Sequence, residues 1–276
     1  MTSLFKSTLL IGMGSAMAAS SAMGAFTFTN GDLVLGFQAT SGTGSTKNVF
    51  FNLGSGVAVR DNPTIGSLGN ISTTLSSVFG ANWYSRSDVY FGVIGNLNGG
   101  SPTGFPGTAA VSGDPSRTFY LSTPTVDVAQ GQLIAAAAYP SASLGSASTK
   151  FSGTEAILPG LNTEADGAAI LDQTNSPVQW ANGWSAWNPT PGAAYDTFTG
   201  GIQQNFGKLT DSTYVDIQRV LATNTGSSQI GVVGGGTYET TLSIGSNGSI
   251  SLIPEPSTSL LAAFAGLTLT FRRRRA

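Results

Sequence analysis

The chain has 276 residues with no cysteine and no histidine, and only 9% of its side chains are charged, twelve basic against fourteen acidic. Disulfides, zinc fingers, thiolate and haem ligand sets, and every nucleophile system that works through histidine or cysteine are therefore excluded. There is no basic surplus that would hold a nucleic acid.

At the amino end, Lys6 precedes an apolar, small-residue run from Leu9 to Ala19, and Ala22-Met23-Gly24-Ala25 supplies small residues for a peptidase. This pattern predicts a secretory signal helix over 1–25, cut after Gly24 or Ala25, which directs the chain to the general secretion machinery. Phe26-Thr27-Phe28-Thr29 alternates as a strand, and Asn30-Gly31 is a hairpin-type turn. Asp32 to Thr40 follows as a strand with Leu33, Leu35 and Phe37 on one face. The Gly/Ser/Thr loop 41–46 lacks the spacing of a phosphate-binding loop. Asn48 to Leu53 is a third strand.

Leu68, Ile71, Leu75 and Val78 fall at helical spacing, which predicts a helix over Ser67 to Phe79 with Ser67 as N-cap and Gly80 as stop. Ser87 to Ile94 reads as a strand, with Val89, Phe91 and Val93 on one side and Tyr90 and Ile94 on the other. A Gly/Pro-rich loop spans 95–107, and Arg117 to Ser122 is a short strand. The Ala/Ser-rich stretches 129–139 and 143–158 have room for a helix, whereas 159–212 shows little regularity. Tyr214 to Ala222 returns to strand. Thr237 to Ile244, the turn Gly245-Ser246-Asn247-Gly248 and Ser249 to Ile253 form the clearest hairpin. Its second strand runs straight into Pro254, so the tail is expected to leave from a sheet edge. Together these elements predict a mainly β body over 26–253, an antiparallel β-sandwich or jelly-roll with one or two short helices.

Chemistry is sparse in that body. Trp180, Trp184 and Trp187, with Tyr195 and Phe198 nearby, are candidates for stacking on sugar rings; the alternative is that they fill the core. Asn162-Thr163-Glu164-Ala165-Asp166-Gly167 begins like a calcium loop, but its first position is Asn and its twelfth is Gln173, so a polar turn is the better reading and no metal is assigned. Glu164 and Asp166 are the carboxylates nearest to an acid/base pair for glycoside hydrolysis. No Gly-x-Ser-x-Gly elbow occurs, no cofactor motif is present, and Asn70-Ile71-Ser72 and Asn247-Gly248-Ser249 are only formal glycan acceptors.

The carboxyl end is the most specific part of the chain. Pro254 and Pro256 stiffen an extended segment around Glu255, an uncharged apolar run follows from Ser257 to Phe271, and Arg272, Arg273, Arg274 and Arg275 close the tail. As a transmembrane helix the apolar run spans roughly 22 Å at ~1.5 Å per residue, short of the ~30 Å of a bilayer core. That length suits transient anchoring, with the arginines held on the cytoplasmic side. The order of these three parts over 254–276 resembles the PEP-CTERM sorting signal of Gram-negative bacteria. A Leu-Pro-x-Thr-Gly sortase motif is absent, and a GPI signal would not end in arginines.

The resemblance implies processing near Pro254-Glu255-Pro256 by a membrane-embedded exosortase. It further implies export across the inner membrane to the cell surface or an exopolysaccharide and biofilm matrix. The segment Gly31 to Phe37, the stretch Asn48 to Gly54, the helix that follows and the run Asn82 to Asp88 also resemble the amino-terminal half of uncharacterised PEP-CTERM surface proteins, for which no activity is implied. Removal of both end segments takes away Lys6, Arg272 to Arg275 and Glu255, leaving seven basic and thirteen acidic residues, a net charge of −6. An acidic, sparsely charged, non-enzymatic body with no affinity for nucleic acid is the expectation.

Overall fold

The structure is a computed structural model that describes residues 24–61, 66–97, 114, 118–131, 141–188, 190–191, 201–207, 211–221 and 236–253, with the side chains of 141–146 and 187 excepted. The expected signal, the sorting motif, the apolar tail and the arginines from Arg272 to Arg275 lie outside these residues, apart from Gly24 and Ala25.

Ten strands form one antiparallel sheet: β1 Asp32–Ala39, β2 Lys47–Ser55, β3 Ser67–Asn70, β4 Val89–Leu97, β5 Thr118–Thr125, β6 Ala169–Asp172, β7 Gln203–Asn205, β8 Ser212–Val220, β9 Gly236–Gly245 and β10 Ser249–Ile253. Their order is β3-β10-β9-β8-β5-β4-β1-β2-β6, with β7 beside β4. The mainly β, antiparallel body is thus observed, but as a single hydrogen-bonded sheet and not as the two facing sheets of a sandwich. The sheet curls until its far strands approach. A Cβ on Gly69 of β3 would stand 3.2 Å from the Phe51 ring of β2. Glycine at such positions lets a continuous sheet bend where a sandwich would need a break in the ladder.

Strand alternation gives the curled sheet two apolar faces. The concave face gathers Leu33, Leu35 and Phe37 from β1, Val89, Phe91 and Val93 from β4, and Val215, Ile217, Leu242, Ile244 and Leu252 from β8 to β10. The helix α2, Ser72–Phe79, and the 3₁₀ turn Trp83–Ser85 add Leu75, Val78, Phe79 and Trp83 to the same core. Trp83 packs edge-on against Phe206, whose ring stacks on Phe91. The convex face carries Val34, Phe50, Ile94, Phe119 and Leu121, covered by α3, Ser141–Ile157, through Ala147 and Phe151. Each large apolar side chain fully buried in this way contributes ~1.5–3 kcal/mol.

Several sequence expectations are corrected. Phe26–Thr29 is not a strand. It is a strap in which the Phe26 amide donates to the Leu161 carbonyl at 2.9 Å and Phe26 itself sinks into the convex core, so its alternation reflects burial without a ladder. Ser67 does not cap a helix, because Ser67–Asn70 pairs with β10 and the helix begins only at Ser72. Gly80 does end it, with φ 92°. Strand β4 continues through Leu97, into the expected loop. The irregular 159–212 stretch contributes β6, β7 and two single-turn helices, α4 Pro177–Trp180 and α5 Trp184–Trp187.

At one end of the sheet Arg86 ties the loops together. Its guanidinium donates to Asp88 and to the carbonyls of Ser41, Thr43 and Phe79. On the outer edge of β4 the ladder forks, with β5 pairing Ile94 to Leu97 and β7 pairing Tyr90 to Gly92. The Ser122 hydroxyl fills the fork, accepting from the Val93 amide at 2.6 Å and donating to the Ile202 carbonyl at 2.5 Å.

Candidate functional site

The tryptophan cluster lies on the convex side, where α5 crosses β1 and β2 and α4 lies against β6. Gly36 of β1 makes the seat: a Cβ there would fall 2.0 Å from the Trp184 ring, so the indole rests directly on the strand backbone. Trp184 is fully buried, and its Nε1 donates to Gln203 Oε1 at 2.9 Å. Gln38 Nε2 donates to the same oxygen and to the Asn188 carbonyl, each at 2.9 Å. Asn48 Oδ1 accepts from the Ser185 amide at 3.2 Å. An amide layer therefore fastens α5 to the sheet, with Gln203 Nε2 and Asn188 Nδ2 buried and without a partner among the described residues.

Trp180 is half-buried against the same core. The Trp187 side chain, Tyr195 and Phe198 lie outside the described residues. Among those described, Trp180 is partly exposed and Trp184 is a core residue.

The 162–167 loop has a structural occupation. Asp166 accepts from the Thr74 amide at 2.9 Å and the Thr74 hydroxyl at 2.7 Å, capping the first turn of α2 from 92 residues away in sequence. Such a cap satisfies amide donors that the helix itself leaves open. Gly167, with φ 85°, turns the chain so that the Ala168 carbonyl accepts from the Glu164 amide at 2.6 Å. Asp166 is thereby committed to the helix, and Glu164 is left beside it at the surface. No group of three or more acidic residues that could hold a metal ion occurs among the described residues.

A cleft of about 400 Å³ opens between the strap and the seam of the curled sheet, lined by residues that include Phe26, Thr27, Asn52, Leu53, Leu68 and Thr163. Among the described residues its lining is apolar or neutral polar, offering shape and hydrogen bonds.

Sequence reasoning missed the most charged feature of the body. The helix α1, Gly56–Asp61, follows β2 at the end of the sheet where β4, β8 and β10 also finish. There the buried Asp114 accepts from Tyr120 Oη at 2.5 Å, Arg60 Nη1 at 2.5 Å and Arg219 Nη1 at 2.8 Å, while Arg219 Nε donates to Glu239 at 2.8 Å. Burial, reinforced by Asp114, raises the Tyr120 phenol well above its usual range. Burial likewise raises Glu239, against the pull of Arg219. The guanidinium groups of Arg60 and Arg219 face the buried carboxylates of Asp114 and Glu239, and Arg60 also pairs with the exposed Asp61, so that the plug compensates its buried charge. Its members are spread from residue 60 to residue 239, so no local motif announces it.

The sheet ends close to this plug. Strand β10 pairs with β9 along its length, and β3 covers Ser249 to Ser251 on its other side. The strand before the tail is therefore the second in the sheet and not its edge. Its last carbonyl, that of Ile253, accepts from the Thr240 hydroxyl at 3.1 Å. Comparison of the chain with protein-family models, with curated proteins and with solved structures gives no match.

Proposed function

We propose that this chain is a non-enzymatic surface or matrix protein of a Gram-negative bacterium. The general secretion machinery carries it across the inner membrane, its 254–276 tail anchors it transiently, and an exosortase-type enzyme processes it at Pro254-Glu255-Pro256. The mature body then associates with exopolysaccharide or biofilm. The observation that carries the reading is the chemistry of the tail: Pro254-Glu255-Pro256, an uncharged apolar run and four arginines follow in that order directly after β10, which ends at Ile253. The strap at the other end agrees with it, because Phe26, next to the expected cleavage positions at Gly24 and Ala25, is only 3% exposed and belongs to the convex core. Intact mass of the mature protein tests the proposal in cells with and without an exosortase candidate. A chain ending near Pro254 to Pro256 only when the enzyme is present is the expected result. A full-length tail in both strains overturns it.

A carbohydrate-binding body is the second reading, now resting on Trp180. Replacing Trp180 with Ala should abolish retention on the cognate exopolysaccharide if that ring is the contact, and unchanged retention dismisses it. Hydrolysis of a glycan through Glu164 and Asp166 is the weaker alternative, since Asp166 is engaged with α2. Activity that survives Glu164→Gln with Asp166→Asn excludes that pair.

A further inference from the structure

Beneath the 126–131 loop, the convex face of β5, β8 and β9 carries buried polar side chains that belong to neither apolar core. Thr123 of β5 stands opposite Asp216 of β8, Gln218 follows on the same face, and Thr241 of β9 opposes Asp216 from the other side. Their exposures are 6% for Thr123, 1% for Asp216, and 0% for Gln218 and Thr241.

Gln218 Nε2 donates to Thr123 Oγ1 at 2.7 Å. The carboxamide carbon is one bond of ~1.3 Å beyond that nitrogen, so it lies within about 4 Å of the hydroxyl oxygen. Rotation about the broad terminal torsion leaves the carbon in place and turns the face of the amide toward the oxygen, and a small change in the preceding torsions closes the remaining distance. No cation contacts Asp216 among the described residues. Its Oδ1 accepts from Thr241 Oγ1 at 2.5 Å and the Ala129 amide at 3.3 Å, and its Oδ2 accepts from the Gly131 amide at 2.7 Å. A Cβ on Gly131 would stand 2.7 Å from Asp216 Oδ2 and 3.1 Å from Thr123 Oγ1. Bare backbone therefore covers both groups, and the paired carboxylate and hydroxyl flank one point, so that a rotamer change brings the hydroxyl proton within reach of Asp216.

We propose that Thr123 and Gln218 close an intramolecular ester cross-link. The Thr123 oxygen attacks the Gln218 side-chain carbon, forming the C–O bond as the C–N bond breaks. Asp216 takes the hydroxyl proton and passes it to the departing nitrogen, which leaves as ammonia. Atoms and electrons balance without an oxidant or co-reactant, and no histidine is required. Burial keeps out the water that would hydrolyse the ester. The bond joins two central strands at positions 95 residues apart in sequence, and so supplies the constraint on the unfolded chain that a cysteine-free protein cannot obtain from a disulfide.

The test is a tryptic digest of the denatured, purified protein read by tandem mass spectrometry. Cleavage at Arg117, Lys150, Lys208 and Arg219 yields peptides 118–150 and 209–219, which hold the two partners. The expected result is one joined species lighter than their sum by one ammonia, ~17 Da, with Thr123 acylated by Gln218. Thr123→Val should release both peptides at their sequence masses, Thr123→Ser should restore the joined species, and Asp216→Asn should lower its yield. Recovery of the two wild-type peptides separately, with Gln218 intact or deamidated, overturns the proposal whatever the variants do.

Discussion

Replacing Trp184 with Ala separates its two readings, as core residue or as sugar contact. The ring is fully buried on Gly36, which has no side chain of its own to relax into the space it vacates. Truncating a buried aromatic residue costs ~3–5 kcal/mol, and a site unable to collapse belongs near the top of that range. Gln203 Oε1 keeps its bond from Gln38, so the polar loss is confined to the indole donor. Urea unfolding of the mature protein, followed by circular dichroism, should show the midpoint falling by ~1–2 M for a slope of about 3 kcal/mol/M.

Gly36→Ala supplies the second arm, because its methyl group would occupy the position of the ring. Overpacking of that kind costs ~1–3 kcal/mol. Combined with Trp184→Ala it should cost almost nothing further, since the methyl then enters a void, and the cycle should show a coupling of at least ~1 kcal/mol. Additive effects, or a Trp184→Ala cost below about 1 kcal/mol, would refute the packing argument.

Other outcomes follow from the same coordinates. Asp166→Ala should destabilise the body by ~0.5–2 kcal/mol through loss of the α2 cap, and amide exchange should rise at residues 72–76 before it rises in the sheet. Burial pushes the Glu155 carboxyl up to about 7, only partly opposed by a hydrogen bond from Ser152. The folded state therefore holds that proton longer than the unfolded chain, and stability should fall as pH rises from about 4.5 to 7, by at most ~3 kcal/mol. Glu155→Gln should flatten this slope, and an unchanged slope would assign it elsewhere. The Arg86 hydrogen bond, with help from Ser41, holds Asp88 down at about 2. Its contribution is present above the ordinary carboxylate range and should be lost as pH falls from about 4 to 2, by at most ~2 kcal/mol. Arg86→Met should remove that acid-limb loss, as read from unfolding midpoints across the same pH range.

Local order was legible in the residues themselves. Leu33, Leu35 and Phe37, and again Val89, Phe91 and Val93, show period-two alternation because each strand divides two apolar faces, and the concave core collects them as expected. Gly245-Ser246-Asn247-Gly248 set the β9–β10 hairpin because a turn is closed by its own residues, and Gly80 ended α2 for the same reason. Whatever depended on a distant partner was not legible. Ser67–Asn70 became a strand because β10 lies beside it, some 180 residues later in the chain, against its helical spacing. Phe26–Thr29 alternates without pairing, because the Leu161 carbonyl and the convex core were the partners available.

The site residues divide in the same way. The proposed sorting tail is read from contiguous chemistry: two prolines, an apolar run and four arginines are a local pattern that needs no fold to be seen. Trp184, Asp166, the Asp114 plug and the Thr123–Gln218 contact acquire their roles only when the curled sheet brings together residues tens to hundreds of positions apart. Periodicity and turn chemistry act over a few residues and are written in the sequence. Burial and charge compensation act across the closed sheet, so the tertiary structure decided which of these side chains are structural.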